Sequence, residues 1–115
     1  MAEGFEISEA GDGDVVILEI EGHLDNRTAV EFDGYFQGVM ARGAKRIVLD
    51  FAGLEYLTSA GLRSVLVALK AANDAGGKLA AANMQPTVRK IVDLSGYSTF
   101  LVPHADRAAA VAAAR

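Results

Sequence analysis

Cysteine is absent from the sequence, and only two of its 115 residues are proline. Without cysteine the chain forms no disulfide, no thiolate zinc site and no catalytic thiol. No apolar run approaches the roughly 18 residues that indicate a membrane-spanning helix. Residues 1–6 are acidic and lack the basic and apolar regions of a signal peptide. These absences predict a cytoplasmic protein that is not inserted into a membrane.

Apolar side chains, by contrast, are plentiful and make up 51% of the chain, whereas charged residues make up 23%. These shares are typical of a globular protein, and the length suits one domain with a substantial core. The sequence shows no internal repeat and no linker. We therefore predict a single domain over residues 1–115, with a core at 5–102 and an alanine-rich C-terminal helix at 106–115.

Basic residues are fewer than acidic ones, 11 against 15, so the formal net charge is −4. This balance argues against nucleic acid as the main partner. The acids are concentrated in residues 1–40, which hold ten carboxylates and one base, Arg27. That region is either an ordinary solvated surface or an acidic face that steers a basic partner.

Hydrophobic periodicity predicts a first hairpin, a helix and a buried strand. Alternating residues at 5–8 and 15–20 flank a Gly-Asp turn, which indicates two antiparallel strands. A helix is predicted at 27–42, and its apolar stripe consists of Phe32, Tyr35, Phe36, Val39 and Met40. The continuous apolar run at 46–51 is typical of a strand that is covered on both faces.

The second half of the chain continues the alternation of helices and strands. A helix begins near Ser59, ends before Gly76-Gly77 and buries the stripe Leu62, Val65, Leu66 and Leu69. A strand at 78–82, a helix opened by Pro86, a short strand at 100–102 and the terminal helix follow. The order ββαβαβαβα implies an α/β fold with a mixed sheet and about four helices, mainly on one face.

The segment most suited to function is 50–62, where we expect a buried strand to lead through a loop into a helix. The first turn of that helix holds Thr58, Ser59, Ala60 and Gly61. Helix N-termini present unpaired N–H groups and a partial positive charge, and small residues let another molecule approach them. A hydroxyl here either caps the helix or accepts a phosphoryl group. Both roles are compatible if one of the hydroxyls of Thr58 and Ser59 caps the helix and the other accepts the phosphoryl group.

Four motifs along the chain resemble those of the STAS domain family, in its anti-sigma factor antagonist branch. In chain order they are Gly22-His23-Leu24-Asp25 followed by Ala29; Asp50-Phe51 leading to Leu54-x-Tyr56-Leu57-Thr58-Ser59-Ala60-Gly61-Leu62; Gly76-Gly77-x-Leu79; and Val92-x-x-x-Gly96. The resemblance spans residues 5–102, and the order and spacing of the set make it fairly specific. It implies a single STAS domain.

The resemblance also implies a function. In this family a dephosphorylated antagonist binds an anti-sigma factor that is also a serine kinase, and so frees the sigma factor. Phosphorylation at the N-terminus of the second helix breaks that complex. The chain is then expected to be a bacterial partner switch in transcription regulation, without cofactor, and a homodimer is left open. An alternative within the same fold is an accessory subunit that docks on a transport ATPase for lipids or solutes.

One position departs from the family pattern. The usual run Asp-Ser-Ser-Gly-Leu, whose second serine is the common phosphoacceptor, corresponds here to residues 58–62, and Ala60 stands at the acceptor position. The resemblance therefore implies Ser59 as the acceptor, with Thr58 as second choice. The partner-binding residues that it implies are Asp25, Thr58, Ser59, Ala60, Gly61 and Arg63.

Enzymatic alternatives have weaker support in the sequence. Ser59, Asp93 and His104 occur in the chain order of a hydrolase triad, but a nucleophile elbow needs glycine where the chain has Leu57. Phosphate-binding glycine loops are missing. His23 lies near an aspartate, with no third metal ligand in view. We predict neither catalysis nor a metal site.

Overall fold

A computed structural model describes residues 4–115 of the chain. Residues 1–3, which contributed to the prediction of an acidic N-terminus, lie outside the described part. The elements are, in order, β1 (Phe5–Asp12), β2 (Val15–Leu24), α1 (Thr28–Ala41), β3 (Arg46–Leu57), α2 (Ser59–Asp74), β4 (Lys78–Ala82), α3 (Pro86–Leu94), β5 (Pro103–His104) and α4 (Arg107–Ala114). The predicted order ββαβαβαβα is confirmed.

A five-stranded sheet with the order β1-β2-β3-β4-β5 forms the centre of the molecule. β1 runs antiparallel to β2, and the other neighbouring strands are parallel. Crossovers between parallel neighbours generally share a right-handed sense, and the strand order always advances in one direction, so α1, α2 and α3 pack on one face over a common core. α4 follows the last strand and covers the other face. The prediction of a mixed sheet with helices mainly on one face is confirmed.

Two cores lie on the two sides of this sheet. The larger lies under α1, α2 and α3, and its most buried members include Leu18, Ile20, Phe32, Ile47, Leu49, Phe51, Val65 and Val92. The smaller lies under α4 and includes Val15, Ile17, Val48, Ala80, Ala110 and Val111. Because successive strand residues point to opposite faces, burial on both faces makes the central strands read as continuous apolar runs.

The predicted helical stripes are buried with few exceptions. On α2, Leu62, Val65 and Leu69 are buried, whereas Leu66 is half-buried. On α3, the predicted apolar residue Leu94 is 78% exposed and is the last residue of the helix, whereas Val88 and Val92 are buried. The last strand, predicted at 100–102, begins three residues later: β5 is Pro103–His104 and pairs with β4 through two residues only.

The loop that we expected between β3 and α2 is instead strand. β2 and β3 extend past their predicted ends at 20 and 51, and they remain paired to Leu24 and Leu57. Register shifts occur between Glu19 and Glu21 and between Gly22 and His23, and β3 contributes one residue more than β2 at each. Such bulges interrupt the alternation of side chains, so the pattern gives no strand signal there. Because of this extension, β3 ends at Leu57, only one residue before α2 begins at Ser59.

A buried carboxylate fastens α4 to the sheet. Asp50 on β3 is 6% exposed. Its side chain accepts hydrogen bonds from the N–H of Ala52 at 3.0 Å, from Nδ2 of Asn83 at 3.1 Å and from Nη2 of Arg107 at 2.9 Å. Arg107 Nη2 also donates to Oε2 of Glu19 at 2.7 Å. Burial raises the pKa of Asp50, but these donors outweigh burial and hold the pKa below its ordinary value. Asp50 is therefore an ionised anchor at neutral pH.

Candidate functional site at the start of helix α2

Thr58 is the residue that caps α2. Its backbone is extended, with φ −90° and ψ 173°, and its Oγ1 accepts a hydrogen bond of 3.2 Å from the N–H of Gly61. The same hydroxyl lies 3.4 Å from the carbonyl oxygen of Leu24, to which it donates. Of the two hydroxyls at the helix start, those of Thr58 and Ser59, the hydroxyl of Thr58 is therefore the one that caps α2. It both accepts and donates a hydrogen bond.

Ser59 follows the cap as the first residue of α2, and its side chain is exposed. Within residues 4–115 its hydroxyl has no hydrogen-bond partner. The two hydroxyls of this turn are thus distinguished by the structure, since that of Thr58 is bound and that of Ser59 is open to solvent. A group transferred to Ser59 would disturb no hydrogen bond of the cap.

The end of β2 holds this turn in place. The N–H of Thr58 donates to the carbonyl oxygen of Leu24 at 3.0 Å. A Cβ atom at Gly61 would lie 2.3 Å from that same oxygen, so the close approach requires glycine. Because both contacts are to backbone, neither adjusts by a change of side-chain rotamer. Gly61 is thus needed to position the helix start against β2.

Asp25 is the residue after Leu24 and so lies beside this contact. Its Oδ1 accepts hydrogen bonds from the N–H of Thr28 at 3.1 Å and of Arg27 at 2.9 Å. These bonds, that from Thr28 first, lower the pKa of Asp25 below its ordinary value. Asp25 is therefore ionised at neutral pH and orders the turn between β2 and α1. Its role in partner binding stays a prediction.

Arg63 lies on the same side of α2 as Ser59, because residues four apart on a helix are neighbours. It is exposed, and within the described residues it makes no ion pair. Ala60 is half-buried and offers no hydroxyl at the usual acceptor position. The structure thus brings the six predicted site residues to one region, around the junction of β2 and α2.

Sequence reasoning missed a groove that begins at Ser59. It has a volume of about 460 Å³ and is lined by α2 together with Ser95 and Tyr97, from the segment after α3. The apolar residues of that segment are the only signal of the groove in the sequence, and the pattern predicts a strand at 100–102 there instead. The groove places an apolar surface directly beside the candidate phosphoacceptor.

The residues of the supposed hydrolase triad have separate surroundings. Asp93 lies 3.4 Å from Arg89 in an ion pair on α3, and His104 belongs to β5 on the sheet. Across the described part of the chain no hydrogen bond joins Ser59, Asp93 and His104. Residues 4–115 contain no helix long and apolar enough to span a membrane.

Comparison with known proteins assigns the family. Residues 7–103 match the family model described as "Mlab, STAS domain". The chain belongs to the STAS domain family. The resemblance in the four motifs is thereby confirmed, together with the fold that it implied.

Relatives support a regulatory role within the family. A Bordetella bronchiseptica protein named as the anti-sigma factor antagonist BtrV is 32% identical over 99 residues, covering 85% of each chain. The anti-sigma F factor antagonist of Paenibacillus polymyxa is 30% identical over 86 residues, covering 71% of each chain. The crystal structure of an anti-sigma factor antagonist from Mycobacterium paratuberculosis has a TM-score of 0.87 and 19% identity, and the match covers 96% of this chain and 94% of that one.

Proposed function

We propose that this protein is a cytoplasmic anti-sigma factor antagonist that binds an anti-sigma factor through the start of α2 and so releases a sigma factor. The observation that carries the proposal is the exposed, unpartnered Ser59 on a helix start that Thr58 and Gly61 hold rigidly against β2. The chain is also 32% identical to a protein named as an anti-sigma factor antagonist, which supports the proposal. No catalysis by this chain is required.

Regulation follows from the same hydroxyl. In the proposal, the anti-sigma factor is itself a serine/threonine kinase and transfers the γ-phosphoryl group of ATP to Oγ of Ser59. The hydroxyl proton is released to solvent, and ADP leaves. Thr58 is a poorer acceptor because its hydroxyl already accepts from Gly61 and contacts Leu24.

The phosphate acts in opposite directions on the fold and on the complex. In the free protein a dianion at a helix N-terminus is favourable by about 0.3–2 kcal/mol. At a protein contact the same group must lose water or displace the partner, which costs several kcal/mol without new cationic neighbours. Binding is therefore lost while the fold survives. The competing outcome is constitutive binding by a protein that lost phosphoregulation when its acceptor became Ala60.

A pull-down from cells that produce the protein tests the proposal. We expect wild-type bait to retain an anti-sigma factor with an ATP-binding kinase domain, and Ser59→Asp bait to retain much less of it. Ala112→Glu, an added carboxylate on the exposed side of α4, is the control that keeps full retention. Retention of a transport ATPase in place of a kinase would contradict the proposal and favour the accessory-subunit alternative.

A further inference from the structure

The groove beside Ser59 continues along the length of α2. The cavity of about 460 Å³ and a second one of about 290 Å³ share Leu66, Lys70 and Tyr97 in their linings. These two adjoining cavities are here called the α2 groove, which is lined on one side by α2 from Ser59 to Asp74. Its volume is in the range of about 300–1,000 Å³ that is typical of protein binding sites.

Apolar side chains are unusually exposed in the α2 groove. Val67 on α2 is 59% exposed, and opposite it Tyr97 and Phe100 are 41% and 67% exposed. The two rings pack on each other with centroids 6.5 Å apart, so they form a wall that exists before anything binds. Leu66, also on α2, is half-buried and lines both cavities. A contiguous patch of this kind marks an interaction surface.

The charges on this surface determine the kind of partner that fits. Arg63 and Lys70 are the charged residues that line the larger cavity, and both are positive. Asp74 lines the smaller cavity, and its Oδ2 lies 2.9 Å from Nζ of Lys70, so these two charges compensate each other. Arg63 makes no ion pair in the described part of the chain. A chain of net charge −4 thus presents an uncompensated guanidinium beside an apolar channel. Such a site is complementary to an apolar segment that carries a carboxylate.

We infer that the α2 groove docks an acidic amphipathic helix of the anti-sigma factor, and that Arg63 binds a carboxylate of that helix. This inference rests on the proposed function. Apolar side chains of the helix, spaced three or four residues apart, would contact Leu66, Val67 and the aromatic wall, as in other helix-in-groove complexes. The carboxylate would lie at the end of the groove nearest to Ser59.

This arrangement also gives the phosphate a second means of dissociating the complex. Ser59 and Arg63 are four residues apart on α2 and therefore share a face. A phosphate on Ser59 competes with the partner's carboxylate for the guanidinium of Arg63. Phosphorylation would therefore remove the cation that recognises the partner, in addition to repelling the partner's acidic groups.

The test is isothermal titration calorimetry, in which the kinase recovered in the pull-down is titrated with purified variants. The Kd is measured in low and in moderate salt. We expect Arg63→Glu and Val67→Glu each to raise the Kd at least tenfold. Ala112→Glu, which adds the same charge on the opposite face of the sheet, should change the Kd less than twofold. The Arg63→Glu complex should also lose part of the salt dependence seen with wild type.

The possible outcomes separate the inference from the function on which it rests. If the kinase binds wild type, and both groove variants bind as tightly as Ala112→Glu, then the groove assignment is wrong and the proposed function stands. If wild type retains no anti-sigma factor at all, both are wrong. A weakened Val67→Glu with an unaffected Arg63→Glu would contradict the role given to the guanidinium.

Discussion

The N–H of Thr58 donates a 3.0 Å hydrogen bond to the carbonyl oxygen of Leu24, which joins the cap of α2 to the end of β2. Gly61 approaches the same oxygen from the first turn of the helix. Ser59 lies between these two contacts, so its position is determined by backbone on both sides. A partner therefore meets a preorganised surface and does not need to order it, which lowers the entropic cost of binding.

Replacement of Gly61 tests this arrangement. Gly61→Ala should lower the free energy of unfolding by about 1–3 kcal/mol, because its Cβ would collide with a backbone oxygen that cannot rotate away. The matched control is Gly34→Ala on α1, where an added Cβ meets nothing within 4 Å. That change should stabilise by about 0.5–1 kcal/mol. Denaturant unfolding that gives both variants the same change would contradict the close contact.

The cap itself is the second target. Thr58→Ala should cost about 1 kcal/mol, since the N–H of Gly61 loses its acceptor. Thr58→Ser keeps the oxygen and should retain most of the stability. Urea denaturation followed by circular dichroism distinguishes the two, and an equal loss in both variants would show that the methyl group, and not the hydrogen bond, matters.

Some parts of the structure could be predicted from the sequence and others could not. Helix α2 was predictable because its buried stripe recurs at helical spacing, from Leu62 to Leu69. The extension of β3 beyond 51 was not, because the bulges facing Glu21 and His23 break the alternation. The α2 groove was also hidden, since it joins Ser59 to Tyr97, and no local pattern records that proximity.

Polar contacts between residues distant in the sequence could not be predicted either. Arg107 and Asp50 are 57 positions apart, and nothing in either neighbourhood indicates that they meet. The resemblance to a known family identified the candidate site because its motifs occur at both β2 and α2. The physical reason for their pairing, the contact of Gly61 with Leu24, emerges only from the fold.

Acid titration tests the anchor of α4. Because the pKa of Asp50 is lowered in the folded protein, its contribution is complete above the unfolded value of about 3.9 and is lost as the pH falls through the lower folded value. Asp50→Asn should therefore be less stable than wild type by about 1.5–3 kcal/mol at pH 7. Below about pH 4 the gap should narrow. A gap that stays constant down to pH 2 would contradict an ionised anchor.

A charge at position 59 should separate stability from binding. Ser59→Asp places a carboxylate in the first turn of α2, where the helix dipole stabilises it by about 0.3–1 kcal/mol. Its melting temperature should thus equal or exceed that of wild type, while its affinity for the anti-sigma factor falls. Ser59→Ala should bind as wild type does. A Ser59→Asp variant that binds normally would count against the switch.

The most direct measurement is the site of phosphate transfer. The protein is incubated with its anti-sigma factor kinase and ATP, and the modified residue is mapped by mass spectrometry, with Ser59→Ala as the control. We predict one phosphate, on Ser59, and none on the control. A kinase that binds the protein but leaves both Ser59 and Thr58 unmodified would contradict the switch and establish constitutive binding.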